Sequence, residues 1–145
     1  MSEPTEIVTV RVEGKPIQQG DLSTGRQGQQ YWTNGPELRK WRGLIAEETW
    51  KVLPDGWEPT EGPIGLSLIF IHKRPKSGVN SKRDTVTYKV TSPDLDKLIR
   101  SVLDALTEVV YVDDRQVANI HAVDVFSDSI ADTPDEGLVY RAYRL

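Results

Sequence analysis

Residues 92–106 read SPDLDKLIRSVLDAL, and they carry the clearest structural signal in the chain. Ser92 is a favoured N-cap residue, and Pro93 suits the first helical position, where a missing N–H costs nothing. We therefore predict a helix that begins at Pro93 and buries one apolar stripe. The stripe consists of apolar residues spaced three or four apart, namely Leu95, Leu98, Ile99, Val102, Leu103 and Leu106.

Acidic residues flank this predicted helix at both ends. Asp94 and Asp96 fall in its first turn, away from the stripe, and Asp113 and Asp114 follow a short apolar run over residues 109–112. Carboxylates that converge repel each other unless a cation lies between them, and hard divalent cations prefer oxygen ligands. The spacing predicts a metal site of three or four carboxylates, although an Asp-x-Asp pair alone more often only complements the helix dipole.

Periodic and apolar runs on both sides of the helix predict the rest of the fold. The predicted elements are a strand over residues 7–12, a helix over 37–52, a central strand over 64–71, the helix described above, and strands over 117–126 and 138–143. Residues 18–30 are predicted to form a polar loop, and the last two strands a hairpin. The order β-α-β-α-β-β predicts an α/β (α+β) fold in which residues 1–145 form one domain with a mixed sheet and two main helices.

Composition excludes several classes of protein. With 145 residues the chain suits one domain. The absence of cysteine excludes disulfide frameworks, thiolate zinc sites and thiol nucleophiles, and is compatible with a reducing cytoplasm. The first residues lack the regions of a signal peptide, and no apolar run approaches the roughly 20 residues that cross a bilayer. We therefore expect a cytoplasmic protein with no membrane partner.

Charge is distributed unevenly along the chain, although the net charge is −4. Residues 71–90 carry six Lys or Arg against one acid, whereas residues 91–145 carry five against eleven. An anionic pocket beside a cationic strip is what a metal-dependent nuclease requires; taken alone, such a basic run is usually a solvated loop. The predicted DNA-binding residues of this basic segment are Lys73, Arg74, Lys76, Lys82, Arg83 and Lys89.

These motifs resemble the RusA family of Holliday-junction resolvases. The shared pattern is Pro-Asp-x-Asp from Pro93, Asp-Ala-Leu at residues 104–106 and Asp-Asp-x-Gln-Val at residues 113–117. A looser similarity covers the turn over residues 14–20. The resemblance implies a homodimeric, Mg²⁺-dependent endonuclease, with Mn²⁺ as an alternative ion, that nicks four-way or branched DNA in recombination and repair. It also implies a bacterial cell or a phage-infected host.

The resemblance assigns roles to individual residues of the pattern. Asp94, Asp96 and Asp114 would be catalytic and would hold one or two Mg²⁺ ions. Adjacent side chains of an extended segment point in opposite directions, so Asp113 and Asp114 cannot both face the ions easily. Matching the family's pattern favours Asp114, with Asp113 beside the metal site.

Two positions depart from the family's pattern. Lys97 stands where the family usually has Asn, and Arg100 where it often has a catalytically important Lys. Arg100 either clamps a phosphate, without donating a proton because it stays charged, or only forms a salt-bridge ladder with Asp96 and Asp104 along the helix. Lys97 is the alternative cation. The glycine-rich loop after the first strand adds two further DNA-binding candidates, Lys15 and Arg26.

Two other functions remain open at this point. These departures permit a catalytically weakened or inactive DNA-binding protein that retains the RusA fold. A Mg²⁺-dependent nucleotidyl- or glycosyltransferase that uses Asp-x-Asp is weaker, since no nucleotide-binding glycine-rich loop precedes a helix in this sequence.

Overall fold

A mixed four-stranded sheet and two helices make up most of the computed structural model, which describes residues 3–20, 22–32, 35–76, 88–129 and 134–145. The strands are β1 (Thr5–Glu13), β2 (Leu22–Thr24), β3 (Gln30–Trp32), β4 (Ile64–His72), β5 (Val117–Phe126) and β6 (Gly137–Arg144). The helices are α1 (Gly35–Val52) and α2 (Leu95–Leu106), with short 3₁₀ turns at Asp114–Gln116 and Ser127–Ser129. Neither α1 nor α2 has the combination of length and apolar content that crossing a bilayer requires.

The sheet has the strand order β1-β6-β4-β5. Strand β6 is antiparallel to both β1 and β4, whereas β4 and β5 are parallel and α2 lies in the connection between them. The predicted α+β fold with a mixed sheet and two main helices is therefore confirmed. The predicted hairpin of the last two strands is wrong, because β4 lies between them. Strand β4 is apolar on both faces, which suits a central strand with a neighbour on each side.

The core lies between the helices and one face of this sheet. Cross-strand rows such as Val10, Tyr140 and Leu68 are buried there, each residue directly opposite the next. From the helices, Trp41 and Leu98 pack against the same cluster. The apolar stripe predicted for α2 thus fixes the helix on the sheet, and its polar face is left toward solvent.

The predicted polar loop over residues 18–30 contains a second, two-stranded sheet. Strands β2 and β3 pair in antiparallel register, from Leu22 opposite Trp32 to Thr24 opposite Gln30. A turn closes the pair, with Gly28 at φ +82°, a conformation that favours glycine. Hydrophobic periodicity does not reveal strands of three residues, so the prediction of a loop was wrong for this part.

Gly137 allows β6 to begin directly against β1. Its φ is +154°, and a Cβ there would lie 2.1 Å from the carbonyl oxygen of Val12. Gly137→Ala should therefore lower the free energy of unfolding by about 1–3 kcal/mol. Gly43 is the matched control, since it is exposed within α1 and a Cβ there would meet nothing within 4 Å. Gly43→Ala should raise stability by about 0.5–1 kcal/mol. Urea denaturation measures both, and equal effects of the two substitutions would contradict this account of Gly137.

Candidate active site

The loop that follows β1 is fixed to the first turn of α2. The side-chain Oε1 of Gln18 accepts a hydrogen bond from the backbone N–H of Asp94 at 2.8 Å. The backbone N–H of Gln19 donates to the carbonyl oxygen of Lys97 at 3.2 Å. Two segments far apart in sequence therefore meet at the start of this helix.

Asp94 and Asp96 lie at the solvent-exposed beginning of α2. Helix α2 begins at Leu95, so the predicted start at Pro93 with Ser92 as N-cap is wrong by two residues. Asp94 occupies the N-cap position, but its carboxylate makes no capping hydrogen bond. Its own backbone N–H donates to Gln18. The Asp94 carboxylate is thus not used to close the helix, and its side chain is 57% exposed.

Lys97 lies close to Asp94, and the charge of Asp94 also acts on Lys89. The Nζ of Lys97 is 4.0 Å from an Asp94 carboxylate oxygen. Lys89 is half-buried, and its backbone N–H donates to the carbonyl oxygen of Asp124 in β5 at 2.9 Å. Burial lowers the pKa of Lys89, and the charges of Asp124 and Asp94 oppose that shift. The charge pattern placed Lys89 on a DNA-binding surface; in the structure its ammonium group donates to the carbonyl oxygen of Thr91.

The Asp113-Asp114 pair sits on a turn that Gln116 holds in place. The Gln116 Oε1 accepts from the backbone N–H of Asp113 at 2.9 Å, and its Nε2 donates to the carbonyl oxygens of Thr60 and Gly62 at 2.9 and 3.0 Å. The glutamine of the Asp-Asp-x-Gln motif therefore has a structural role. It ties the carboxylate-bearing turn to the segment that enters β4.

The two adjacent carboxylates have different partners. Asp113 caps the 3₁₀ turn, accepting from the backbone N–H of Arg115 at 2.9 Å, and this hydrogen bond lowers the pKa of the Asp113 carboxyl. Asp114 lies near Tyr111, where burial, together with the charges of Asp114 and Asp104, raises the pKa of the hydroxyl. The Tyr111 hydroxyl donates to the Leu103 carbonyl at 2.7 Å, so the segment that leads to Asp114 is bound to the later part of α2.

The structure does not assemble the predicted acidic residues into one cluster. Across the described ranges, no three Asp, Glu or His side chains lie close enough to share a cation. Asp94 and Asp96 lie at the start of α2. The turn that carries Asp114 is bound near Leu103 through the Tyr111 hydroxyl. Leu103 lies seven residues, or roughly 10 Å, further along the helix than Asp96. Asp94 and Asp96 therefore both lie at the start of α2, whereas Asp114 lies on a separate turn.

Arg100 points along α2 toward its C-terminal half. Its Nε is 3.7 Å from an Asp104 carboxylate oxygen, and Arg42 of α1 approaches the same aspartate to 3.9 Å. Arg100 therefore has a salt-bridge partner in Asp104, as the second interpretation of this residue requires. The guanidinium nevertheless stays 60% exposed, so it remains accessible to a phosphate.

The residues of the basic segment differ in how accessible they are. Lys73 and Lys76 are exposed, with Lys73 4.0 Å from Glu136. Arg74 is largely buried, bonds to Asp128 at 2.9 and 3.1 Å, and lies 4.3 Å from the centre of the Phe126 ring. Lys15 and Arg26 are exposed, and the candidates Lys82 and Arg83 lie outside the described residues.

A buried pair behind the site escaped sequence reasoning. His72, at the end of β4, contacts the carboxylate of Asp124 in β5, and both side chains are almost fully buried. The carboxyl ends of parallel strands are where open α/β sheets bind ligands. The parallel pairing of β4 with β5 is what brings His72 and Asp124 together, and residue spacing does not reveal that pairing.

Comparisons with known proteins find a matching family and a bacterial relative. The family model described as "Endodeoxyribonuclease RusA" matches residues 13–133. An uncharacterized protein, YqaN of Bacillus subtilis (strain 168), is 24% identical over 130 residues, which cover 85% of this chain and 90% of that protein.

Proposed function

Because the chain belongs to the RusA family of endodeoxyribonucleases, we propose that it cleaves branched DNA and resolves four-way junctions with a divalent metal ion, in the cytoplasm of a bacterial or phage-infected cell. One observation carries the proposal beyond the family. Asp94 and Asp96 stand exposed at the start of α2, and Lys97 lies beside Asp94. Carboxylates next to cations are the arrangement that places a metal ion against a phosphate.

The donor chemistry fits Mg²⁺, with Mn²⁺ as an alternative. Mg²⁺ is commonly held by one or two carboxylates, with substrate phosphates and water completing its coordination. Asp94 and Asp96 offer two such groups, and neither is used for capping. Asp114 is the proposed third ligand, and the commitment of Asp113 to the turn supports this choice within the pair. Since the described residues form no three-carboxylate cluster, the proposal requires the Asp114 turn to approach Asp94 and Asp96 when the ion and DNA bind.

Each side chain has a proposed task in phosphodiester hydrolysis. A bound divalent cation would lower the pKa of a water molecule and neutralise charge on the scissile phosphate. Lys97 and Lys89 would hold the phosphate next to Asp94, and Arg100 would stabilise the charge that develops on it. The hydrogen bonds from Gln18 and Gln19 keep the loop and helix in register, so these groups are positioned before DNA binds.

A homodimer is proposed from the symmetry of the substrate. A four-way junction has two-fold symmetry and needs two symmetric nicks, and a C₂ dimer supplies two identical sites. The deciding experiment incubates the full chain with a synthetic four-way junction and Mg²⁺. Paired nicks on opposite strands by a dimer are expected. Binding without cleavage would favour an inactive DNA-binding protein, and single nicks by a monomer would leave a general structure-sensitive nuclease.

Arg100 offers a separate test of the chemistry. Arg100→Ala should slow single-turnover junction cleavage by about 10²-fold while weakening binding far less, because an exposed guanidinium stabilises developing charge. Arg100→Lys should retain or raise activity. Arg39→Ala, which removes an exposed arginine of α1, is the control. Unchanged cleavage by Arg100→Ala would show that Arg100 serves only the salt bridge to Asp104. Lys97 would then be the candidate for stabilising charge on the phosphate.

A further inference from the structure

Strand β5 forms one edge of the four-stranded sheet, with β4 as its neighbour on the inner side. Within the described residues, its outer side is paired only near its end. There Tyr88 bridges Val125, and the backbone N–H of Lys89 donates to the carbonyl oxygen of Asp124. Residues 118–121 are all exposed. The first half of β5 is therefore an open edge in this part of the chain.

The hydrogen bond from Lys89 shows which backbone groups of β5 point outward. The backbone groups of successive residues alternate between the two sides of a strand. Because the Asp124 carbonyl points away from β4, the backbone groups of Ala122 and Ile120 point the same way. Residues 119–126 pair with β4 without a break in register. The outward groups thus form a regular row, which is a template for another strand.

The two edges of the sheet differ in how they discourage pairing. Charged side chains and irregular register protect an edge strand from other chains. Strand β1, at the opposite edge, carries exposed Glu6, Arg11 and Glu13, and its register shifts just after Glu6. Residues 117–123 of β5 contain no Asp, Glu, Lys, Arg or Pro, and Ile120 among them is 39% exposed. The composition of β5 therefore favours a partner strand at this edge.

We propose that a second copy of this chain pairs with this edge, β5 against β5 in antiparallel register, about a two-fold axis at Ile120. The inference rests on the proposed function, which calls for a homodimer. Residues 117–123 can meet their own copy without repulsion between like charges, and the exposed Ile120 is then covered by its equivalent. Such an axis stands perpendicular to the sheet. Both α2 helices therefore lie on one face of a joined eight-stranded sheet, where a single junction can reach both sites.

The chain contains no cysteine, so a single introduced cysteine can form a disulfide only with its own copy. Residues directly opposite each other in an antiparallel pair have Cα atoms about 5.5 Å apart, which a disulfide spans, whereas diagonal residues are about 7–8 Å apart. Mild oxidation of the full chain with Ile120→Cys should give mainly covalent dimer. His121→Cys is the matched control, because His121 is equally exposed but lies diagonal to its copy. It should crosslink at least about tenfold more slowly.

Sedimentation velocity tests the same interface without crosslinking. Ile120→Lys should raise the dissociation constant of the dimer at least about 30-fold, since it places two like charges opposite each other. Thr9→Lys, at an exposed position of β1, should leave the dimer intact. A wild-type dimer that Ile120→Lys does not weaken, or equal crosslinking through Ile120→Cys and His121→Cys, would overturn this interface alone. A monomeric wild type would overturn the proposed homodimer as well, and junction cleavage by the same samples tests the proposed nuclease separately.

Discussion

Asp94→Asn and Asp96→Asn should each lower the single-turnover rate of junction cleavage by at least about 10³-fold, because each removes a charged ligand from the proposed metal site. Junction binding should stay intact or become tighter, since each substitution also removes a negative charge near phosphate. Gel-shift titration and quenched-flow cleavage on the same junction measure the two properties separately. Asp55→Asn, on an exposed loop away from α2, is the control that should change neither.

The Asp113-Asp114 pair extends this test to the choice of ligand. Asp114→Asn should be as inactive as Asp94→Asn. Asp113→Asn should be milder, because asparagine can also accept the capping hydrogen bond from Arg115. Normal cleavage by Asp114→Asn together with an inactive Asp113→Asn would reverse the assignment within the pair.

DNA affinity should depend steeply on salt, although the chain is acidic overall. If a dimer contacts six to ten phosphates, affinity should fall by about 10³–10⁵ between 50 and 200 mM salt. Fluorescence anisotropy with labelled junction and duplex DNA gives the slope of log affinity against log salt. A flat slope would show that the basic segment does not contribute to DNA binding.

The basic segment can be tested without disturbing the fold. Replacing Lys73, Lys76, Lys82 and Arg83 together by alanine should flatten the salt slope and weaken all DNA structures alike. Arg74 is left in place because its bonds to Asp128 make it part of the folded structure. Alanine at Lys40 and Lys51 of α1 serves as the charge control, and an equal loss of slope there would show that net charge alone matters.

The sequence predicted where helices and strands lie along the chain better than it predicted which of them are neighbours in space. The apolar stripe of α2 and the two apolar faces of β4 identified a helix and a central strand. The start of α2 was misplaced because the partner of the Asp94 N–H is Gln18, 76 residues away. The predicted hairpin of β5 and β6 was wrong for a similar reason. Strand β4 lies between them in the sheet, and the local turn residues do not reveal which strands pair.

The same difference between local motifs and contacts in space applies to the candidate site. The Asp-x-Asp and Asp-Asp-x-Gln motifs are local, and the sequence located them. The loop after β1 is joined to α2 by the hydrogen bonds of Gln18 with Asp94 and of Gln19 with Lys97. Lys89 is joined to β5 by its backbone hydrogen bond to Asp124. These contacts follow from how β1, β5 and α2 are arranged in space, so residue spacing could not predict them.

The position of β6 has a consequence for synthesis of the chain. Strand β6 fills the gap between β1 and β4, and its register joins Thr5 to Arg144 and Glu13 to Gly137. Pairings between such distant residues form slowly. Until β6 has left the ribosome, β1 and β4 have no shared partner, and the apolar edge of β4 is uncovered. That interval is when we expect a nascent chain to be most prone to aggregation and most dependent on chaperones.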